Sequence, residues 1–252
     1  NIMSANKNIL KPGSGSPVIA TSHDISLGVY WLTRPIAGVK GEGEYFASPN
    51  AAILARDYDA IDLRAKINVM PTVEKAKYAH FDGKAFETTV GRLLFNSVLP
   101  SDHAFINEVV VQRMIFDIII DIIDDRGPEA VPAIVDKLKK LGFKYATMSG
   151  TTWGIDEVKV PAQKAPIIEA SREEERKVFA FYDEGLISRD ERRRMIVEIW
   201  HRAKTEIEKV LPETLDETGS AYEMWKSGAR GSLGQIAQMA GMKGLIVNTR
   251  GE

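Results

Sequence analysis

The sequence predicts an α+β fold, with small mixed sheets and helices in the N-terminal part, then a mainly helical part carrying a protruding antiparallel two-helix coiled coil. Three observations carry that expectation. "IDLRAKINVM" (61–70) alternates apolar and polar residues with the period of a half-buried strand. "INEVVVQRMIFDIIIDIIDDRGP" (106–128) is intensely apolar and ends in Gly127-Pro128, a strong helix stop. "APIIEASREEERKVFAFYDEG" (165–185) and "SRDERRRMIVEIWHRAKTEIEKVLPE" (188–213) are charged, helical in composition, and joined only by Gly185-Leu186-Ile187.

In order along the chain, "KPGSGS" (11–16) reads as a turn before a short strand at "PVIA". "SHDISLGVYWLTR" (22–34) reads as a short helix capped by Ser22 or Asp24, because a consecutive Ser-His-Asp run is not how a catalytic triad assembles. "GVKGEGEYF" (38–46) is a loop entering a strand; it does not open a helix, as a dinucleotide fingerprint must. "SPNAAILARDYDA" (48–60) is a helix with proline at its first position. "KYAHF" and "AFETTV" (77–90) suggest a hairpin around Asp82-Gly83. "PEAVPAIVDKLKKLGF" (128–143) is a helix closed by basic residues and glycine, and "KYATMSGTTWGID" (144–156) an extended connection.

With 252 residues, 44% hydrophobic and 27% charged, the chain can bury one large or two small cores, which excludes disorder throughout. Its 33 Lys and Arg nearly balance 35 Asp and Glu, so no global field draws it to nucleic acid or anionic lipid and any anion site must be local. Cysteine is absent, which excludes disulfides and thiolate metal sites and fits a reducing compartment. His23, His80, His103 and His201 lack the spacing of a helical zinc site. The start, "NIMSANKNILKPGSGSP", has no signal-peptide pattern and reads as beginning in mid-protein.

Asp117, Asp121 and Asp124 fall at i, i+4 and i+7 and share one face of a helix. That pattern allows a magnesium reading, but no second acidic cluster follows, so the wet stripe of an amphipathic helix is the favoured one. The same aspartates interrupt every apolar window near the ~20 residues that a membrane span needs.

The charged pair of helices is more informative. Ser188 and Glu191 form an S-x-x-E capping box that fixes where the second helix begins. Ile196, Ile199, Ala203, Ile207 and Val210 step by three and four residues, the seam of a two-helix pairing. So short a link forces the helices antiparallel. At ~1.5 Å per residue the second helix reaches about 35 Å, more than a small core requires, so the hairpin is expected to protrude. Its tip carries Arg189, Arg192, Arg193 and Arg194 beside Asp183, Glu184, Asp190 and Glu191, either as ordinary surface charge or as a docking post.

Leading into "SGARGSLGQIAQMAGMKG" (227–244), "AYEMWKS" (221–227) is helical and Gly228 is its natural C′ residue. Ser232 and Gln235 make a second capping box, opening a short helix whose Leu233, Ile236 and Ala240 share a face until Gly241 ends it. Arg230 stands at the corner between. A guanidinium at a helix start is an anion site; a packing corner with Arg230 paired to a carboxylate is the alternative.

Six co-linear blocks, "SANKNILKPGSGSPVIATSHDISLGVYWLTR", "GEGEYF", "ETTVGRLLFNSVLP", "LGFKYATMSGTTWGIDE", "GLISRDER…IVEIW" and "SGARGSLGQIAQMAGMKGLI", closely resemble the middle of the bacterial RNA polymerase largest subunit, beta-prime. The resemblance covers essentially the whole chain. It implies a pore domain over 1–156, a funnel domain over 157–220 with rim helices at about 165–211, and an arginine-bearing turn with the F-loop over 221–252. Together these would wall the secondary channel, the entry of nucleoside triphosphates and the exit of a backtracked RNA 3′ end. The rim tip, Glu184, Arg189, Glu191 and Arg192 to Arg194, would dock Gre-type factors. Arg230 would face the NTP triphosphate, supported by Ser227, Gly228, Gly231, Ser232 and Gln235.

The implied partners are the beta, alpha and omega subunits and the rest of beta-prime, in the bacterial cytoplasm with no membrane. The family's N-A-D-F-D-G-D motif, which binds Mg2+, belongs upstream of residue 1, and the bridge helix and trigger loop downstream of Glu252. No catalytic residue, cofactor or metal site is therefore expected in this chain, and alone it is expected to be inactive. The three arginines 192 to 194 sit where other members carry mixed aromatic and polar residues, so regulatory-nucleotide binding is not carried over. Lys243 stands where arginine is common. From the residues alone, a free-standing helical-hairpin interaction module without nucleotide contact remains the alternative.

Overall fold

Helix α1 (Asp24–Thr33) starts at a sharp bend. His23, in the position before it, has φ 53° and ψ −127° and makes no side-chain cap, so neither Ser22 nor Asp24 caps the helix as expected. Seven of the ten residues of α1 are buried, which makes it the central element of its surroundings. The computed structural model describes residues 4–19, 21–72 and 76–249. They form two compact units: Asn1–Thr151 with the returning segment Lys226–Arg230, and Thr152–Trp225 with Gly231–Glu252.

In the first unit, β1 (Tyr45–Phe46) precedes α2 (Pro49–Asp57), whose start is fixed by Pro49 and by Ser48 Oγ accepting from Ala51 N–H at 3.2 Å. β2 (Ile67–Val69) lies at the centre of a three-stranded sheet, parallel to β1 and antiparallel to β3 (Phe86–Thr88). The alternation over 61–70 is real, since Ile61, Leu63, Ala65, Ile67 and Val69 are all buried, but only its last part pairs as strand. The short strand expected at "PVIA" reduces to a bridge between Leu10 and Pro17, and Ala20 lies outside the described residues.

The hairpin expected around Asp82-Gly83 does not form. The turn is there, with φ 50° and 72°, but Ala76–Phe81 is a 3₁₀ helix and the partner of β3 is β2. Two side-chain demands explain it. Lys77 is buried and its ammonium donates to the carbonyls of Asn96 and Leu99, at the end of α3 (Val90–Val98). Phe81 stacks on Phe86 at 3.8 Å, and Tyr78 and Phe105 close the same aromatic cluster. A strand over 77–81 would place alternate residues on opposite faces and lose both.

α4 (Gln112–Arg126) ends at Gly127 as expected, but its apolar lead-in is extended. That segment borrows hydrogen bonds from side chains: Val110 N–H donates to Thr33 Oγ1 at 2.9 Å, Ile106 N–H to Asn96 Oδ1 at 2.9 Å, and Arg92 donates to Asn107 O at 2.9 Å. α5 (Val131–Ser149) runs straight through Gly142 and residues 144–149, the first part of the expected extended connection, stopping at Gly150 with φ 61°; residues 151–154 are without regular structure as expected. Gly142 is a packing position against α1, not a terminator. Leu32, Ile67, Phe95, Ile119 and Leu138 are fully buried in the shared core, each contributing on the order of 1.5–3 kcal/mol.

In the second unit, α6 (Lys164–Asp183) and α7 (Arg189–Val210) pack against each other, with Ile199, Ala203 and Ile207 buried and Ile196 and Val210 half-buried. The predicted stripe is therefore the less exposed face of α7, with Ile207 also close to Gly241. α8 (Ser220–Lys226) follows, and α9 (Leu233–Ile236) continues as a π turn to Gly241. Leu211, Leu215, Ile236, Ala237 and Ala240 form a small core of their own. The architecture is α+β with a helical C-terminal part. Among the described residues no helix is long and apolar enough to cross a membrane.

Candidate functional site

The Ser227–Arg230 segment is fastened to the first unit at successive residues. Gln112 N–H, at the start of α4, donates to Ser227 O at 3.0 Å. Ser227 Oγ, fully buried, accepts from Ala229 N–H at 3.2 Å. The His23 ring bonds Ala229 O through Nδ1 at 3.2 Å. A carbonyl oxygen only accepts, so Nδ1 must carry the proton. Gly228 between them has φ 76°, which favours glycine, and a Cβ there would press on the Gln112 side chain, 2.9 Å from its Oε1. The same Gln112 donates Nε2–H to Thr21 O at 3.1 Å, joining this anchorage to the approach to α1.

Arg230 follows directly on that anchored backbone. It is exposed, and among the described residues it forms no ion pair with a carboxylate. Of its expected supports, Ser227 and Gly228 share its unit. Gly231, Ser232 and Gln235 belong to the second unit, where the predicted capping box forms: Gln235 N–H donates to Ser232 Oγ at 3.2 Å and Ser232 N–H to Gln235 Oε1 at 2.9 Å.

At the hairpin tip the second capping box also forms. Glu191 N–H donates to Ser188 Oγ at 3.2 Å. In return the Ser188 backbone N–H, and then its hydroxyl, donate to Glu191 Oε2 at 2.9 Å each and hold the Glu191 carboxyl below its ordinary pKa. Arg192 does not simply project into solvent; its guanidinium lies 4.1 Å from the Tyr182 ring centre and 5.4 Å from that of Phe179. Glu184, Arg189, Arg193 and Arg194 are exposed. Along the hairpin, Arg176 pairs with Glu169 at 3.0 Å and Arg202 with Glu174 across the two helices. Such exposed pairs contribute about 0.2–1 kcal/mol each and do not fix the hairpin. Beside the latter pair, a hollow of about 280 Å³ is floored by Val178, Phe181, Met195 and Ile199.

Asp117, Asp121 and Asp124 are exposed on α4, opposite buried Ile115, Ile118, Ile119 and Ile122. Among the described residues no three His, Cys, Asp or Glu side chains are grouped to hold a metal ion. Their exposure opposite the buried isoleucines is that of the wet stripe of an amphipathic helix.

Sequence reasoning missed His23, Gln112 and the Tyr182–Phe179 pair. The first two act across more than 100 residues, where no spacing rule reaches. The aromatic pair had a signal, since Phe179 and Tyr182 at i and i+3 share a helix face.

The family model for RNA polymerase Rpb1, domain 3, matches residues 8–158, and that for RNA polymerase Rpb1, domain 4, matches residues 184–251. The DNA-directed RNA polymerase subunit beta' of Heliobacterium modesticaldum is 38% identical over 260 residues, covering 100% of this chain and 22% of its own. Its counterpart in Sulfurihydrogenibium sp. is 36% identical, covering 100% of this chain and 16% of its own, and that of Pelotomaculum thermopropionicum 38% identical, covering 99% and 21%. The chain thus spans about a fifth of the length of these relatives.

Proposed function

This chain belongs to the RNA polymerase Rpb1 family as the bacterial beta-prime subunit represents it, and from that premise we propose that it serves as the pore and funnel region of a DNA-directed RNA polymerase. In this reading residues 1–156 and 157–220 wall the secondary channel, and the α6–α7 hairpin is the rim to which Gre-type factors dock. Arg230 meets the triphosphate of the incoming nucleotide. The working assembly includes the beta, alpha and omega subunits and the remainder of beta-prime, acts in the cytoplasm, and passes a backtracked RNA 3′ end through the same channel.

One observation carries the nucleotide assignment: an exposed guanidinium with no carboxylate partner among the described residues, on a backbone held by Gln112, Ser227 and His23. A cation carried on an anchored backbone and not neutralised suits the binding of a polyphosphate, since no ion pair has to be broken first. Arg230 would orient the triphosphate and neutralise charge developing on the departing pyrophosphate. The chain supplies no acid or base to that step, and alone it is inactive in this reading. The test is incorporation kinetics of assembled polymerase carrying Arg230→Ala: an apparent KM raised alike for all four nucleotides supports the assignment, and an effect on one base alone removes it.

A further inference from the structure

His23 has no local reason to be histidine. Its φ of 53° and ψ of −127° belong to a conformation that side chains other than glycine seldom adopt. It stands at the N-cap of α1 but makes no side-chain cap. It is exposed, so the ring does not fill a core. What the strained backbone does achieve is to carry Nδ1 to within 3.2 Å of Ala229 O, 206 residues further on and one residue before Arg230. The other anchors of that segment, Gln112 N–H on Ser227 O and Ser227 Oγ on Ala229 N–H, leave the Ala229 carbonyl to His23.

We propose that His23 is a positioning residue for Arg230: its ring fixes the peptide plane from which the arginine projects, and the backbone strain at the start of α1 is retained for that purpose. The inference rests on the reading of Arg230 as a triphosphate contact. His23 touches no substrate in this scheme. It acts by limiting the directions Arg230 can take, so the cation meets a nucleotide without first being ordered.

The test uses assembled polymerase carrying variants of this chain. His23→Gly removes the ring and relieves the strain together, so a ring bond without any role predicts unchanged or improved thermal stability with unchanged exchange and kinetics, and a purely structural anchor predicts faster exchange with unchanged kinetics. The proposal predicts that stability holds while amide exchange over 227–230 quickens and the apparent KM for all four nucleotides rises about three- to ten-fold, the loss of one hydrogen bond, with kcat little changed. His23→Asn should keep both readouts near those of the unaltered chain, because its side-chain Nδ2 occupies the place of the imidazole Nδ1 and asparagine is among the residues favoured at the positive-φ position of type II′ turns, which the His23 backbone approximates. Combined with Arg230→Ala, His23→Gly should add nothing further.

Unchanged exchange over 227–230 in His23→Gly overturns the proposal. So does faster exchange with an unmoved KM while Arg230→Ala raises it. If Arg230→Ala itself leaves KM unmoved, the nucleotide reading is what has failed, and quickened exchange in His23→Gly then marks the ring as an anchor of the segment without a role in nucleotide binding.

Discussion

Gly28 of α1 and Gly142 of α5 meet backbone to backbone. A Cβ built on Gly28 would lie 1.9 Å from Gly142 O, and one built on Gly142 would lie 2.7 Å from both the Cα and the O of Ile25. Neither obstacle is a side chain that can swing aside, so the two helices would have to separate. Gly142→Ala should therefore destabilise the first unit by about 1–3 kcal/mol or more, against the small gain in helix propensity that alanine brings. Urea unfolding measures it. Gly13→Ala is the control, since a Cβ there meets nothing within 4 Å and should leave the midpoint almost unmoved.

That contact also shows where the sequence stopped being legible. Patterns with a local cause were readable: the alternation over 61–70, the buried stripe of Ile199, Ala203 and Ile207, and the two capping boxes each depend on residues within a few positions of one another. Gly142 carries the same local signature as a helix stop, and only a partner helix more than 100 residues away decides that it is a crossing point. The failed hairpin at 77–90 has the same origin, because Lys77 answers to carbonyls at Asn96 and Leu99 and not to its neighbours. At the candidate site, Arg230 and its glycine could be picked out by composition. His23 and Gln112, which hold the segment, could not.

The Ser188–Glu191 box makes the start of α7 sensitive to acid. The Glu191 carboxyl is depressed, first by the Ser188 backbone N–H and then by its hydroxyl. A carboxylate lowered on folding contributes stability that is present above its unfolded pKa and is lost as pH falls through the lower folded value. The first turn of α7 should accordingly keep its amide protection at neutral pH and fray below the ordinary glutamate range. Glu191→Gln should remove this pH dependence while the Ser188 hydroxyl still caps Glu191's backbone position. Exchange of amides over 188–192 measured from neutral to acid pH follows both.

The tip arginines are expected to separate by function. Arg192 packs over Tyr182 and Phe179, so Arg192→Ala should cost about 0.5–1 kcal/mol of hairpin stability, and Arg192→Lys should recover charge but not the stacked plane. Arg194→Glu, at an exposed position, should change stability by no more than about 0.5 kcal/mol. Charge reversal across Arg192, Arg193 and Arg194 should nevertheless abolish docking of a Gre-type factor to assembled polymerase. Titration with that factor reads the loss, and retained binding would place the docking surface elsewhere.

Arg230 offers the sharpest separation between charge and shape. Its backbone is held in the first unit whatever the side chain is, because Ser227 O, Ala229 N–H and Ala229 O make the anchoring bonds. Truncation to alanine should therefore remove the cation without loosening the segment, and melting should not change. A charge-assisted hydrogen bond to phosphate contributes about 1.5–3 kcal/mol, so Arg230→Ala should raise the apparent KM roughly ten- to a hundred-fold. Arg230→Lys should fall between, since a lysine keeps the charge but not the two-pronged donor. The four nucleotides share the triphosphate and differ in the base, so all four should shift together in steady-state incorporation; a shift confined to purines or pyrimidines would mean that Arg230 reads something other than phosphate.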